Sequence, residues 1–256
     1  MTPLLETRDL SKTFGGLKAV QKIDLSVGAN RIVSVIGPNG AGKTTFFNCL
    51  SGIYRPDGGE ILLDGRNIAG RPPHQVCRLG MSRTFQNIRL FPEMTVVENV
   101  MVAQFQHRSL SPLPLLLRSP KFCAREEECR QEALGFLEFV GLRAHAGRVS
   151  NSLAYGQQRR LEIARALATK PRLLLLDEPA AGMNPQETVE MVQLISRIRE
   201  RGLAILLIEH HMKVVMTISD EILVLDHGVP IAHGTPERVR NDPQVIKAYL
   251  GEEVTP

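Results

Sequence analysis

Residues Arg31 to Tyr54 read RIVSVIGPNGAGKTTFFNCLSGIY. A short apolar run reaches Ile36, a glycine-rich loop follows, and a helix opens near Lys43, so the stretch predicts strand, loop and helix in that order. Gly37 to Thr44 matches G-x-x-x-x-G-K-[ST]. In such a loop, glycines let the backbone wrap phosphate, and the N–H groups and helix N-terminus supply positive potential. Gly37, Pro38, Asn39, Gly40, Ala41, Gly42, Lys43, Thr44 and Thr45 are therefore candidate phosphate contacts. Lys43 reaches the outer phosphates and Thr44 is a candidate ligand for Mg²⁺. The plainer reading is a glycine-rich turn that binds nothing.

Outward from this loop, two more apolar runs, Leu173–Leu176 and Leu203–Ile208, lack polar alternation. Strands of that kind are buried on both faces, which predicts a parallel sheet covered by helices, with ligands at its carboxyl edge. Asp177 and Glu178 close the first run and His210 closes the second. Beside a phosphate loop, Asp177 can hold Mg²⁺, Glu178 can polarise an attacking water and His210 can sense a terminal phosphate. Without the loop, the same residues read as a solvated turn and a surface histidine. The segments LLETRDL and AVQKIDLSVGAN alternate and predict strands joined at the FGG turn. EILVLDHGVPIAHG predicts a hairpin turning at His227 and Gly228. From about Thr95 to Leu167 the period is helical, interrupted by the Pro/Leu-rich stretch His107–Phe122.

The chain has 256 residues, 43% of them hydrophobic, and a formal charge of +4. That permits a large core in one main domain with a subdomain. No apolar run approaches the roughly 18 residues that cross a bilayer, and Glu6, Arg8 and Asp9 interrupt any leader, so the expected compartment is the cytoplasm. The four cysteines form no C-x-x-C pair and read as free thiols. Scattered arginines, no Trp and three Tyr give little for nucleic acid to stack on, and none is expected as a partner.

One segment resists this reading. In LAYGQQRRLEIARAL, Leu153 to Leu167, the residues Leu161, Ala164 and Leu167, with Ala168 just beyond, make an apolar helix face, and Ser150, Asn151 and Ser152 are the expected caps. Nothing in helix formation explains Tyr155, Gly156 and Gln157 at the entrance. Together with GPNGAGKTT, LLLLDEP and RTFQ, this segment resembles the ATP-binding subunits of ABC transporters over nearly the whole chain.

The resemblance implies an α/β P-loop NTPase fold with a RecA-like parallel sheet, an N-terminal antiparallel β-subdomain and an inserted α-helical subdomain. About 91–164 would form that subdomain, with about 1–90 and 165–256 as the catalytic core. It identifies Gly37–Thr44 as the Walker A loop, Leu173–Asp177 as Walker B and Glu178 as the catalytic carboxylate. Gln86 matches the Q-loop glutamine, which meets Mg²⁺ and links nucleotide to the membrane partner. His210 matches the switch histidine, and Phe14 the aromatic that stacks on adenine. Leu153, Ala154, Tyr155, Gly156 and Gln157 match the signature, usually LSGGQ, which closes on the γ-phosphate held by a second ATPase subunit. Two departures stand out: Ala154 and Tyr155 replace serine and glycine, and Asn184 replaces the D-loop aspartate.

FGGLKAV, RTFQNIRLFPEMTVVENV, DEPAAGMNP and LLIEHHMKVVM narrow the resemblance to the ATPase subunits of bacterial branched-chain amino-acid importers. This implies ATP and Mg²⁺ as ligands and a homo- or heterodimer of ATPases. It also implies integral-membrane permeases as partners, a periplasmic binding protein indirectly, and a peripheral position on the cytoplasmic face of the inner membrane. Importers of urea and short amides share these spellings. A soluble ABC ATPase acting on nucleic acid or ribosomes is the rival of another class, but the stretch from Lys43 to Ala154 carries no heptads for the coiled coil such proteins insert.

Overall fold

In the computed structural model, which describes residues 3–105 and 120–250, alternation sorts the strands into two sheets. Strands β1 (Leu5–Phe14) and β2 (Leu17–Val27) form an antiparallel pair around Gly15 and Gly16. β1 also pairs with β4 (Gly58–Leu63), and β4 with the short β5 (Arg66–Asn67), completing a four-stranded antiparallel sheet.

The second sheet holds β3 (Ile32–Ile36), β6 (Met81–Arg83), β7 (Leu173–Asp177), β8 (Ala204–Ile208), β9 (Glu221–Asp226) and β10 (Val229–Gly234). Its order is β10-β9-β3-β8-β7-β6, parallel from β9 to β6, with β10 antiparallel at the edge. The hairpin β9–β10 turns at His227 (φ 44°) and Gly228 (φ 79°), the two positive angles of a type I′ turn. Every residue of β3, β7 and β8 is buried, which is why their sequences show no polar alternation and, apart from Ser34 and the terminal Asp177, are apolar.

Alternate residues of these strands serve different cores. Leu173 and Leu175 join Val33, Val35 and Leu206 in the core shared with the antiparallel sheet, where helix α1 (Lys43–Leu50) inserts Phe46 and Phe47. Leu174 and Leu176 face the opposite way, against α3 (Val96–Gln104), α4 (Pro120–Phe139), α5 (Tyr155–Ala168) and α6 (Pro185–Glu200). The short helices α2 (Pro73–Arg78), α7 (Met212–Ile218) and α8 (Pro236–Arg240), with α9 (Pro243–Leu250), complete the described α-helices. Among the described residues, no helix is long and apolar enough to cross a membrane.

The predicted face of α5 is buried at Leu161, Ala164, Leu167 and Ala168. Its predicted caps are not used. Ser150–Ser152 form a 3₁₀ turn, in which Ser150 Oγ donates to the carbonyl of Phe91 at 2.8 Å and Ser152 Oγ to that of Val149 at 2.7 Å. The N-cap is Ala154, which has no side-chain acceptor to offer. The expected insertion His107–Phe122 lies outside the described residues apart from its last three positions, which belong to the first turn of α4.

Candidate active site

The loop between β3 and α1 owes its shape to Gly42, at φ 94°, where a Cβ would stand 2.2 Å from the carbonyl oxygen of Ala19. Gly42 is also the N-cap of α1 and makes no side-chain cap, so the first-turn N–H groups are left for a ligand. Asn39 to Thr45 line a cleft of about 430 Å³ together with Phe14, Gln86, Glu178 and His227. Gly37 and Pro38 act from behind. Their carbonyls accept hydrogen bonds from Lys43 Nζ at 2.7 and 2.9 Å. Burial pushes the Lys43 ammonium below the usual lysine range, and the charges of Glu178 and Asp177 pull it partly back. Phe14 is half-exposed, its ring edge-on to Tyr54 with centroids 5.2 Å apart.

Parallel register brings the carboxyl ends of β3, β7 and β8 to one edge, with Val35 and Asp177 both paired to Ile208. Glu178 follows at φ 49°, its N–H donating to the carbonyl of Ile208 at 2.9 Å. Its Oε2 accepts from Gln86 Nε2 at 3.0 Å and lies 3.7 Å from His210 Nδ1. Gln86, Glu178 and His210, three of the predicted site residues, are thus in one cluster. Asp177 is buried and its Oδ2 accepts from Arg83 Nη2 at 2.7 Å. The oxygens of Thr44, Asp177 and the Gln86 amide are the donor types that Mg²⁺ takes, and Gln86 spends only its nitrogen on Glu178.

Two residues of this edge carried no signal in the sequence. Arg83 binds Asn48 Oδ1 and Ser51 Oγ at the end of α1 as well as Asp177, so it joins the phosphate-loop helix to the acidic strand end. Glu209 is fully buried, with Oε1 accepting from Ala180 N at 3.0 Å and Oε2 from His210 N at 3.1 Å. It fixes the loop after Glu178 against the strand end that carries His210. Contacts across so many residues leave no trace at local spacing.

None of Leu153, Ala154, Tyr155, Gly156 and Gln157 lines the cleft. Gln157 Oε1 accepts from the Ala154 N–H at 3.2 Å, which is half of a capping box. Tyr155 is half-exposed and Leu153 buried. Asn184, the second departure, caps α6: its Oδ1 accepts from Glu187 N at 2.9 Å, and Glu187 Oε2 from Asn184 N at 3.0 Å.

Comparisons with known proteins bear on the family of the chain. Residues 20–181, more than half the chain, match the family described as ABC transporter, and 229–255 match the branched-chain amino acid ATP-binding cassette transporter family. The high-affinity branched-chain amino acid transport ATP-binding protein BraF of Pseudomonas aeruginosa is 55% identical over 98% of both chains. Its counterpart LivG of Escherichia coli K12 is 53% identical over 98% of both. Among solved structures, the ADP conformation of an ATP-binding cassette of an ABC transporter superposes with a TM-score of 0.86. It is 32% identical, over 98% of this chain and 100% of that one. With its phosphate loop, acidic strand end and nucleotide cleft in this arrangement, the chain belongs to the ABC transporter ATP-binding family.

Proposed function

We propose that this chain hydrolyses ATP to drive a membrane importer of branched-chain amino acids, as a peripheral subunit on the cytoplasmic face of the inner membrane. One observation carries the enzymatic part: Glu178 lines the phosphate-loop cleft, with its carboxylate between the Gln86 amide and the His210 imidazole. Glu178 orients and polarises the attacking water, His210 holds the terminal phosphate, and Lys43 neutralises the outer phosphates. Phe14 stacks on the base. Thr44, Asp177 and Gln86 would hold Mg²⁺, which would supply positive charge to the phosphate oxygens.

The signature residues lie outside their own chain's cleft, which supports a site completed by a second ATPase, identical or homologous. About 91–164 would then move as a helical unit against the rest of the chain. A groove of about 730 Å³ beside Gln86, walled by Phe85, Leu90, Phe91 and Ala166, is where we seat the permease. A periplasmic binding protein would meet the permease and never this chain. The substrate class rests on relatives that are 53% and 55% identical almost end to end.

The test is Glu178→Gln, which keeps shape and removes the charge. Hydrolysis should fall by roughly 10²–10⁴ while ATP still binds. Uncleaved MgATP should hold two subunits together in size-exclusion chromatography with light scattering, and MgADP should not. Wild-type hydrolysis in the variant would remove Glu178 from the mechanism. A monomer in MgATP, with and without a sister ATPase, would overturn the shared site.

A further inference from the structure

Tyr155 stands where the signature usually has glycine, and Arg159 lies one turn further along the same face of α5. The Tyr155 hydroxyl accepts from Arg159 Nε at 3.2 Å and from Nη2 at 3.0 Å. Arg159 Nη1 donates to the carbonyl of Phe85 at 2.6 Å and lies 3.3 Å from Glu162 Oε2, and Nη2 also donates to the carbonyl of Gln86. A guanidinium has five N–H donors, and each has a partner here. Glu162 grips the same loop from its other side, its Oε1 accepting from Phe85 N at 3.3 Å and Arg89 N at 3.4 Å. Arg159 and Glu162 are both buried.

The Tyr155 ring has a second neighbour. Its edge lies 3.4 Å from where a Cβ on Gly182 would be, in the loop between Glu178 and α6. With glycine at position 155, the hydroxyl would vanish and two buried donors of Arg159 would be left unpaired, a costly state for a charged group. The departure from the signature is therefore matched by a partner inside the chain.

Resting on the shared-site reading above, we propose that Tyr155 and Arg159 are positioning residues that tie the signature entrance to the Gln86 backbone of their own chain. Contact of that entrance with the opposite nucleotide then reaches Gln86, and through Gln86 Nε2 the carboxylate of Glu178 3.0 Å away. Each subunit's hydrolytic geometry becomes coupled to its occupancy of the other's site, a coupling that acts in both directions.

The experiment uses the full chain with three readouts: amide hydrogen exchange at Phe85 and Arg89 without nucleotide, MgATP affinity, and kcat against KM. In Arg159→Gln, exchange at both amides should rise roughly tenfold and kcat fall by a similar factor. MgATP affinity should hold, because neither residue lines the cleft. Tyr155→Phe, which removes one oxygen and keeps the ring on Gly182, should give a smaller change of the same kind. The double variant should be no worse than Arg159→Gln alone, since Tyr155 acts through Arg159. Arg159→Lys should not rescue, as one ammonium cannot reproduce the fork.

Unchanged exchange and kcat in Arg159→Gln, or losses that simply add, would overturn the proposal. So would a fall in MgATP affinity that tracks a general loss of thermal stability, which would make Arg159 a folding residue. A wild-type chain that does not hydrolyse ATP would sink the ATPase reading instead, and exchange in the nucleotide-free protein would still decide whether the tie exists.

Discussion

Helices α1 and α5 both begin without a side-chain cap, at Gly42 and Ala154, whereas α3 and α6 begin with complete capping boxes from Thr95–Glu98 and Asn184–Glu187. A capping box spends first-turn N–H groups on the protein's own side chains, and a bare entrance keeps them for an anion. The short helices α2, α7 and α8 also begin without a side-chain cap, but the entrances of α1 and α5 carry the candidate phosphate contacts, and these two still differ. That of α1 opens into its own chain's cleft, on a loop whose backbone only glycine fits, while that of α5 lies outside the cleft on ordinary backbone. The lesson is that a bare entrance faces a site of its own chain only where the fold turns it into the cleft.

The strongest way to break this comparison is to put alanine at the glycine of each entrance. At Gly42 the new Cβ would meet the Ala19 carbonyl at 2.2 Å with φ at 94°, so backbone must move. Gly42→Ala should cost on the order of 3 kcal/mol and abolish MgATP binding in calorimetry. At Gly156 the Cβ would meet Glu187 Oε1 at 2.9 Å, a side-chain end that can swing away. Gly156→Ala should leave MgATP affinity of the single chain intact and lower thermal stability by less than about 1 kcal/mol. Equal damage at both positions would erase the distinction.

A second break acts on charge. Lys43 is buried with two carbonyls as partners and its pKa lowered chiefly by burial, so at neutral pH the folded chain carries the ammonium at a cost. The sign follows from the lowered value: the cost is present below the folded pKa and fades as pH rises through it. Lys43→Met should reduce MgATP affinity roughly a hundredfold, the loss of two charge-assisted contacts. The nucleotide-free protein should nevertheless melt at the same temperature or a few degrees higher, with the gap to wild type narrowing at alkaline pH. A lower melting temperature at neutral pH would show that the lysine is a structural brace.

This contrast also explains what the sequence disclosed. The phosphate loop, the buried strands and the His227–Gly228 hairpin were legible because each is fixed by neighbours within a few residues, where spacing and glycine chemistry act directly. Arg83, Arg159, Glu162 and Glu209 were not, since their partners lie across the fold: Arg83 meets Asp177, and Arg159 meets Phe85 and Gln86. The serines before α5 misled for a related reason. Ser150 and Ser152 are good cap residues by type, but a 3₁₀ turn had already committed their hydroxyls to carbonyls.

A smaller effect is expected at the capped entrance of α6. Asn184→Ala removes the acceptor for Glu187 N and should cost about 1 kcal/mol, read as a fall in the denaturant midpoint at constant slope. Asn184→Asp keeps the acceptor and adds charge at a helix N-terminus, so its stability should match or slightly exceed wild type. If both variants lose the same stability, the cap is not what Asn184 contributes.

The smallest expected effect is the most direct sharpening of the comparison. Ala154→Ser would supply the missing acceptor of a box whose other half, Gln157 Oε1 to Ala154 N, is already made at 3.2 Å. A serine N-cap in place of alanine should add about 0.5–1 kcal/mol to stability. Its hydroxyl would take one N–H of the first turn, leaving the remaining donors and the helix dipole to meet a phosphate, while itself able to donate there. These gains and losses nearly offset, so ATP hydrolysis with the partner ATPase should change less than about threefold. A tenfold loss would mean that the N–H taken by serine is the one the phosphate needs, and that the α5 entrance works because it is bare.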